Sequence, residues 1–233
     1  MERVLKARLL ESREIAHEVR HFVFDVPELE ALAYLPGQFV SLTRDIDGKP
    51  ITRAYSTAGT SVANRFELCL NRVEDGLFSP FLFDMKPGDT VEMTGPLGYF
   101  TWKQHVADSI LVATGTGIAP FRGMLQSYLG NGGDREVTLV YGVRYEASLL
   151  YRGEFQATAE LYSNFHFLPT LSRPESTWTG RTGHVQKHVV EVLGDRRDMD
   201  VYICGLKAMV DDVRRQLKEL GLDRKRIVYE KYD

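Results

Sequence analysis

A two-domain protein, with an N-terminal antiparallel β-barrel and a C-terminal α/β domain built on a doubly wound parallel sheet, is what this sequence predicts, on three observations. Up to about Phe100 the chain runs in short β-branched and aromatic segments broken by Gly, Pro and Asp, the texture of an antiparallel barrel or sandwich. Beyond Phe100, continuous apolar strands alternate with amphipathic helices, the texture of βαβ units. At 233 residues, 43% hydrophobic and 26% charged, the chain is long enough to bury a core in each half.

In the first half the β-prone segments are residues 21–27, 36–45, 51–60, 65–73 and 89–98. Pro36-Gly37 and Asp47-Gly48 are natural turn sites. Residues 79–85 read as a short helix, stopped by the proline of Lys86-Pro87-Gly88-Asp89. In the second half, strands at 109–115, 136–143, 165–172 and 200–205 alternate with helices at 120–130, around 148–162, at 183–193 and at 208–220. A nucleotide bound to such a sheet sits at the carboxyl ends of its strands. The texture changes between residues 101 and 108, so the division is placed as 1–103 and 104–233. No internal repeat and no low-complexity tract interrupts either half.

A net charge of -3 argues against a general nucleic-acid binder, and the aromatics are not interleaved with a basic stripe. Charges interrupt every apolar run of the first 22 residues, so that segment has the core of neither a signal peptide nor a membrane span, and the expected location is the cytoplasm. Cys69 and Cys204 are the only cysteines, two short of the four thiolates that usually hold a two-iron, two-sulfur cluster. Neither lies in a C-x-x-C motif, and the histidines lack zinc-site spacing, so no structural metal is expected.

Two segments carry chemistry. Arg53-Ala54-Tyr55-Ser56 ends an apolar, β-prone run; extended, it puts Arg53 and Tyr55 on one face and Ser56 on the other, which suits a flat heterocycle attached to a diphosphate, the shape of a flavin. The same string also closes an ordinary half-exposed strand. Strand 109–115 runs into Gly115-Thr116-Gly117-Ile118-Ala119-Pro120 and then a helix, which presents backbone N–H groups and a helix N-terminus to a diphosphate. Pro120 stands where a dinucleotide G-x-G-x-x-G has its third glycine, and it fits the first helical turn. No acidic residue ends the next strand at Val140-Tyr141-Gly142, a second departure from the NAD fingerprint.

With Gly76-Leu77-Phe78-Ser79 (G-x-x-S), Cys204-Gly205-Leu206-Lys207 after an apolar strand, and Glu230-Lys231-Tyr232, these segments resemble, in order and along essentially the whole chain, the ferredoxin-NADP reductase superfamily, also called the FAD-binding FR-type family. The resemblance implies FAD and NADP(H) as cofactors. Arg53 would neutralise the FAD diphosphate, Ala54 would complete the segment, Tyr55 would pack on the isoalloxazine, and Ser56 would hydrogen-bond near flavin N5. Gly76, Leu77, Phe78 and Ser79 would offer donors to the diphosphate, and Leu70 and Asn71 would touch the cofactor. Gly115, Thr116 and Gly117 would bind the pyridine nucleotide, with Cys204, Gly205 and Glu230 near the nicotinamide and Tyr232 on the flavin face. Asp233 follows Tyr232, a departure from members in which the tyrosine is terminal.

For the choice of nucleotide, Ser172-Arg173, Arg181 and Arg144 are candidates for a 2'-phosphate, which a bidentate guanidinium suits better than a ribose hydroxyl. The implied activity is that of a ferredoxin-NADP reductase: hydride passes between nicotinamide C4 and flavin N5 across the domain cleft, and single electrons pass to or from a separate ferredoxin or flavodoxin. The expected assembly is a monomer without nucleic-acid or membrane partners. Arg196-Arg197 and Arg224-Lys225-Arg226 are candidates for a basic docking rim. The alternatives are the NAD(P)H reductase component of an oxygenase system, a free flavin reductase, and a relay subunit without turnover of its own.

Overall fold

The computed structural model describes residues 3–46 and 48–232. It separates into two compact units: one runs to Thr101 and takes in Ala119–Tyr128, and the other comprises Trp102–Ile118 and the chain from Leu129 onward.

The first unit is a six-stranded antiparallel sheet of β1 (Leu5–Ala16), β2 (Val19–Asp25), β3 (Phe39–Ile46), β4 (Lys49–Ser56), β5 (Arg65–Asn71) and β6 (Thr90–Leu97), in the order β4-β3-β6-β1-β2-β5. A bridge between Thr57, just past β4, and Leu68 of β5 joins the two edge strands and closes the sheet as a barrel. Inside, Phe24 stacks on Phe66 at 5.3 Å between centroids, and Leu9, Leu42, Leu68 and Met93 complete a core of fully buried side chains. Strand β1 is not among the segments read as strands from the sequence, because its charges break every apolar run. Its period is two: Leu5, Ala7 and Leu9 are buried while Lys6 and Arg8 face out. Helix α1 (Ser79–Asp84) carries Pro80 in its first turn and ends in extended backbone at Met85, ahead of Pro87. Of the expected turn at Asp47-Gly48, Asp47 lies outside the described residues; the Gly48 N–H donates to Asp45 Oδ1 at 2.8 Å.

The second unit is a parallel sheet of β7 (Ser109–Thr114), β8 (Val137–Val143), β9 (Phe165–Leu171), β10 (Arg181–Thr182), β11 (Asp200–Leu206) and β12 (Ile227–Tyr232), in the order β10-β9-β8-β7-β11-β12. Helices α3 (Arg152–Leu161), α4 (Val185–Leu193) and α5 (Lys207–Glu219) connect its strands. Ile110, Val112, Val140, Val201 and Ile203 are packed under Val185, Val189 and Leu193 of α4 and Val210, Val213 and Leu217 of α5. From β7 the chain winds one way through β8, β9 and β10, then returns to β11 on the other side of β7. The β7/β11 junction is therefore the topological switch point of the sheet, where doubly wound proteins bind their ligands.

Helix α2 (Ala119–Gly130) follows β7 in sequence, yet its residues Ala119–Tyr128 belong to the first unit. Strands β10 and β12 are too short, or too interrupted by charge, to stand out in the sequence. Among the described residues no helix is long and apolar enough to cross a membrane.

Candidate functional site

In the first unit, β4 pairs antiparallel with β3, setting Arg53 opposite Leu42, Tyr55 opposite Val40 and Ser56 opposite Phe39. Arg53 and Ala54 are exposed, Tyr55 is half-buried and Ser56 is buried. Among the described residues the Arg53 guanidinium donates to the neighbouring Thr52 carbonyl alone, at 2.8 Å. Burial pushes the Tyr55 phenol up to about 12, against the pull of Arg53, so the ring stays neutral.

The G-x-x-S segment comes to the same place: the Phe78 ring lies 6.2 Å from that of Tyr55, and Phe78 is buried while Leu77 is 59% exposed. The turn is braced internally by the Gly76 N–H on the Val73 carbonyl and the Val73 N–H on Ser79 Oγ, both at 2.9 Å. Leu70 turns its side chain into the barrel core, so the end of β5 offers the exposed Asn71 and backbone. An exposed cation without a carboxylate, a partly open aromatic face and a braced turn fit a flavin diphosphate and its ring.

In the second unit, Gly115–Ile118 form a 3-10 turn at the end of β7, ahead of α2. At the switch point this turn abuts the end of β11. A Cβ on Gly117 would collide with the Cys204 carbonyl, and one on Gly205, whose φ is +143°, would collide with Thr114 Oγ1. Side chains are excluded there, so the turn and the end of β11 pack backbone to backbone; at Gly115, whose φ is +54°, a Cβ would meet nothing, and it is that glycine's backbone that stands open to a diphosphate. Thr114 Oγ1 is buried without a hydrogen-bond partner among the described residues. Tyr141, fully buried, donates through its hydroxyl to the Gly115 carbonyl at 3.1 Å. In sequence it is one more apolar residue of β8, and nothing marked it.

Cys204 and Glu230, 26 positions apart, are register partners on β11 and β12, as are Gly205 with Lys231 and Leu206 with Tyr232. Burial is the main force raising the Cys204 thiol well above its ordinary range; the Glu230 charge adds to it and a hydrogen bond from Tyr232 opposes it. The thiol is thus a neutral, shape-defining group. Lys231 Nζ lies 2.7 Å from Asp211 and holds that carboxyl below the usual range. Asp233 lies outside the described residues.

The candidate phosphate ligands divide. The Ser172 N–H donates to the Val143 carbonyl at 3.0 Å and the Arg173 N–H to the Arg144 carbonyl at 2.9 Å, so Arg144, Ser172 and Arg173 meet beyond the ends of β8 and β9. Arg144 and Arg173 are both exposed, with no ion-pair partner among the described residues. Arg181 Nη1, by contrast, lies 2.7 Å from Glu191 Oε2 and 3.2 Å from His188 Nδ1, and it lowers the Glu191 carboxyl below its usual range.

The expected docking rim is largely consumed within the second unit. Arg196 holds Asp108 and Asp198, Arg197 donates to the carbonyls of Leu220 and Gly194, and Arg226 donates to the Asp198 carbonyl and lies 3.2 Å from buried Asp200. These cations tie the loops around β11 together, and they no longer support a docking role.

Fold and site define an oxidoreductase with one unit for a flavin and one for a pyridine nucleotide. Residues 6–102 match the oxidoreductase FAD-binding domain family and residues 111–215 the oxidoreductase NAD-binding domain family, and the chain belongs to the ferredoxin-NADP reductase family of flavoenzymes. Among its relatives, "Ferredoxin--NADP reductase B" of Sorangium cellulosum is 37% identical over 237 residues, 98% of this chain and 97% of the relative. "NADH-cytochrome b5 reductase 1" of Laccaria bicolor is 33% identical over 220 residues, 91% of this chain and 71% of the relative. The crystal structure of the Amycolatopsis cytochrome P450 reductase GcoB superposes with a TM-score of 0.89 at 34% identity, over 98% of this chain and 69% of that one.

Proposed function

We propose that the protein is a ferredoxin-NADP reductase, moving hydride between NADP(H) and FAD and single electrons between FAD and a separate ferredoxin or flavodoxin. The observation that carries the choice of NADP(H) is the pair Arg144 and Arg173, two exposed guanidinium groups without an ion-pair partner among the described residues, on loops bonded backbone to backbone. Such a pair is what a 2'-phosphate requires and a ribose hydroxyl does not. Arg181, committed to Glu191 and His188, anchors the loop in this reading. The two cysteines are too few for an all-thiolate cluster among these 233 residues, which supports a carrier outside them. A relative that matches this chain nearly end to end bears the name of this activity.

Bound FAD supplies the N5 atom that takes or gives hydride, and it converts a two-electron reaction into single-electron steps. The chain's part is to hold and orient. Arg53 neutralises the diphosphate, with the backbone of Gly76–Ser79 as further donors. Tyr55, neutral at working pH, covers a ring face, and Ser56 offers a hydroxyl on the other side of the strand. Gly115, Thr116 and Gly117 cradle the nucleotide diphosphate, while Gly205 and the protonated Cys204 leave a flat, neutral floor for the nicotinamide. Glu230 and Tyr232 border that floor through the β11–β12 register.

Anaerobic titration of the FAD-loaded protein with NADPH and with NADH tests the reading. NADPH is expected to bleach the flavin at the lower concentration, and replacing Arg144 and Arg173 together by Ala should raise the NADPH KM about tenfold or more while NADH moves little. Equal effects on both nucleotides would count against a 2'-phosphate site. The likeness to a cytochrome P450 reductase favours a second reading, a reductase dedicated to one oxygenase system. Cytochrome c reduction that stays at background when ferredoxin or flavodoxin is added would favour that one.

A further inference from the structure

The segment that continues R-A-Y-S is held unusually tightly. Ser56, Thr57 and Ala58 are all buried. The Thr57 N–H and hydroxyl both donate to the Gln38 carbonyl, at 2.9 and 3.0 Å, and the Ala58 N–H donates to the Glu67 carbonyl at 2.7 Å. The Tyr34 hydroxyl donates to the Gly59 carbonyl at 3.3 Å. All these partners lie in the barrel's own stretch of sequence. One does not: Arg122 of α2, whose Nη1 donates to the Ala58 carbonyl at 2.7 Å and to Glu67 Oε2 at 2.5 Å.

The Arg122 side chain is 12% exposed, and the Glu67 carboxylate it meets also faces His21 Nε2 at 3.5 Å. The next residue, Gly123, packs so closely on Gly59 that a Cβ there would collide with the Gly59 carbonyl. Backbone of α2 therefore rests on backbone of the segment, and one guanidinium nitrogen serves its carbonyl and its acidic neighbour together. Without the cation, a largely enclosed carbonyl loses its donor and a partly buried carboxylate loses its counter-charge, both of which are costly.

We propose that Arg122 is a positioning residue for the flavin: by holding the Ala58 carbonyl and Glu67 it fixes where Arg53, Tyr55 and Ser56 stand at the end of β4. The inference rests on the flavin reading of R-A-Y-S, and it extends the flavin-binding machinery to a residue 64 positions past Ala58. Arg122 acts through the segment and does not itself meet the cofactor.

The test measures, for wild type, Arg122→Met, Arg122→Lys and Glu67→Gln, the FAD dissociation constant, the visible absorption band of the bound flavin and the melting temperature of the apoprotein. Arg122→Met should weaken FAD binding about tenfold and shift the flavin band, since loss of a positioning partner displaces the groups it supports. Arg122→Lys should recover part of both, because an ammonium restores the charge but not the fork. Glu67→Gln, which keeps the shape, should shift the band and weaken binding by a smaller factor; it decides the matter if Arg122→Met does not fold. Wild-type affinity and spectrum in Glu67→Gln, or in a folded Arg122→Met that merely melts earlier, would reduce Arg122 to a stabilising contact and overturn the proposal. A wild-type protein that takes up no FAD would overturn the flavin reading itself, and this inference with it.

Discussion

The two candidate binding regions, one in each unit, are built in opposite ways. In the barrel unit the key side chains are consecutive, Arg53 to Ser56, and an antiparallel strand distributes them to two faces by its pleat alone. In the parallel unit the contiguous Gly115–Gly117 turn is only one part of the site. Thr114 and Gly117 come from the end of β7, Cys204 and Gly205 from the end of β11, Glu230 and Tyr232 from β12, and Arg144 and Arg173 from beyond β8 and β9. The first half works through consecutive side chains; the second combines scattered side chains with a glycine seam at the switch point, where backbones come together and only glycine lets them meet. The two halves should therefore fail differently.

Filling the glycine cradle is expected to have the largest effect. Gly117→Val places a branched side chain against the Cys204 carbonyl, and should cost about a hundredfold in nucleotide affinity, since it forces the turn after β7 and the end of β11 apart, while leaving FAD content near wild type. Parallel loss of FAD, measured as the flavin-to-protein ratio, would erase the contrast. Next comes Arg53→Ala, which removes one charge-assisted contact and should weaken FAD binding about tenfold to a hundredfold, leaving the second unit's thermal transition in place. Unchanged FAD content would remove Arg53 from its role.

The smallest effect concerns Cys204, proposed above as part of the nicotinamide floor. Because burial raises the Cys204 thiol above its ordinary range, native protein should resist iodoacetamide at Cys204 at pH 8, and unfolded protein should react readily. The sign for stability follows. A thiol whose native value is raised contributes fully below the ordinary thiol range, and that contribution fades as pH rises through the native value. Tyr232→Phe removes the hydrogen bond that opposes the shift, so it should slow labelling further. Faster labelling in that variant would contradict the Tyr232–Cys204 bond.

Legibility in the sequence follows the same division. The fold class was readable because pleat and helix periods are local properties. R-A-Y-S, G-x-x-S and G-T-G-I-A-P were readable because each is contiguous. What could not be read is pairing. Nothing local says that Glu230 lies beside Cys204, that Phe78 approaches Tyr55, or that the hydroxyl of Tyr141 supports Gly115. Distant partners of charged residues are equally hidden: Arg181 looks like a loose loop cation until α4 brings Glu191 to it. For Arg196 a signal was present, since Asp198 stands two positions away, a spacing that reads as a local ion pair rather than as a docking rim. Strand β1 was missed for a related reason, its outward charges having hidden an alternation that is complete in its first five residues.

The placement of α2 bears on recombination between relatives. Read along the chain, the boundary between the units is crossed three times, after Thr101, after Ile118 and after Tyr128. A chimaera joined once, at Thr101, would inherit Gly59 and Glu67 from one parent and Gly123 and Arg122 from the other. Shuffled genes that keep those four residues matched should yield coloured, folded flavoprotein, and crossovers that separate incompatible versions of them should be depleted among survivors. Breakpoints in this family are thus expected to follow a quartet of residues more closely than the visible change from strands to helices.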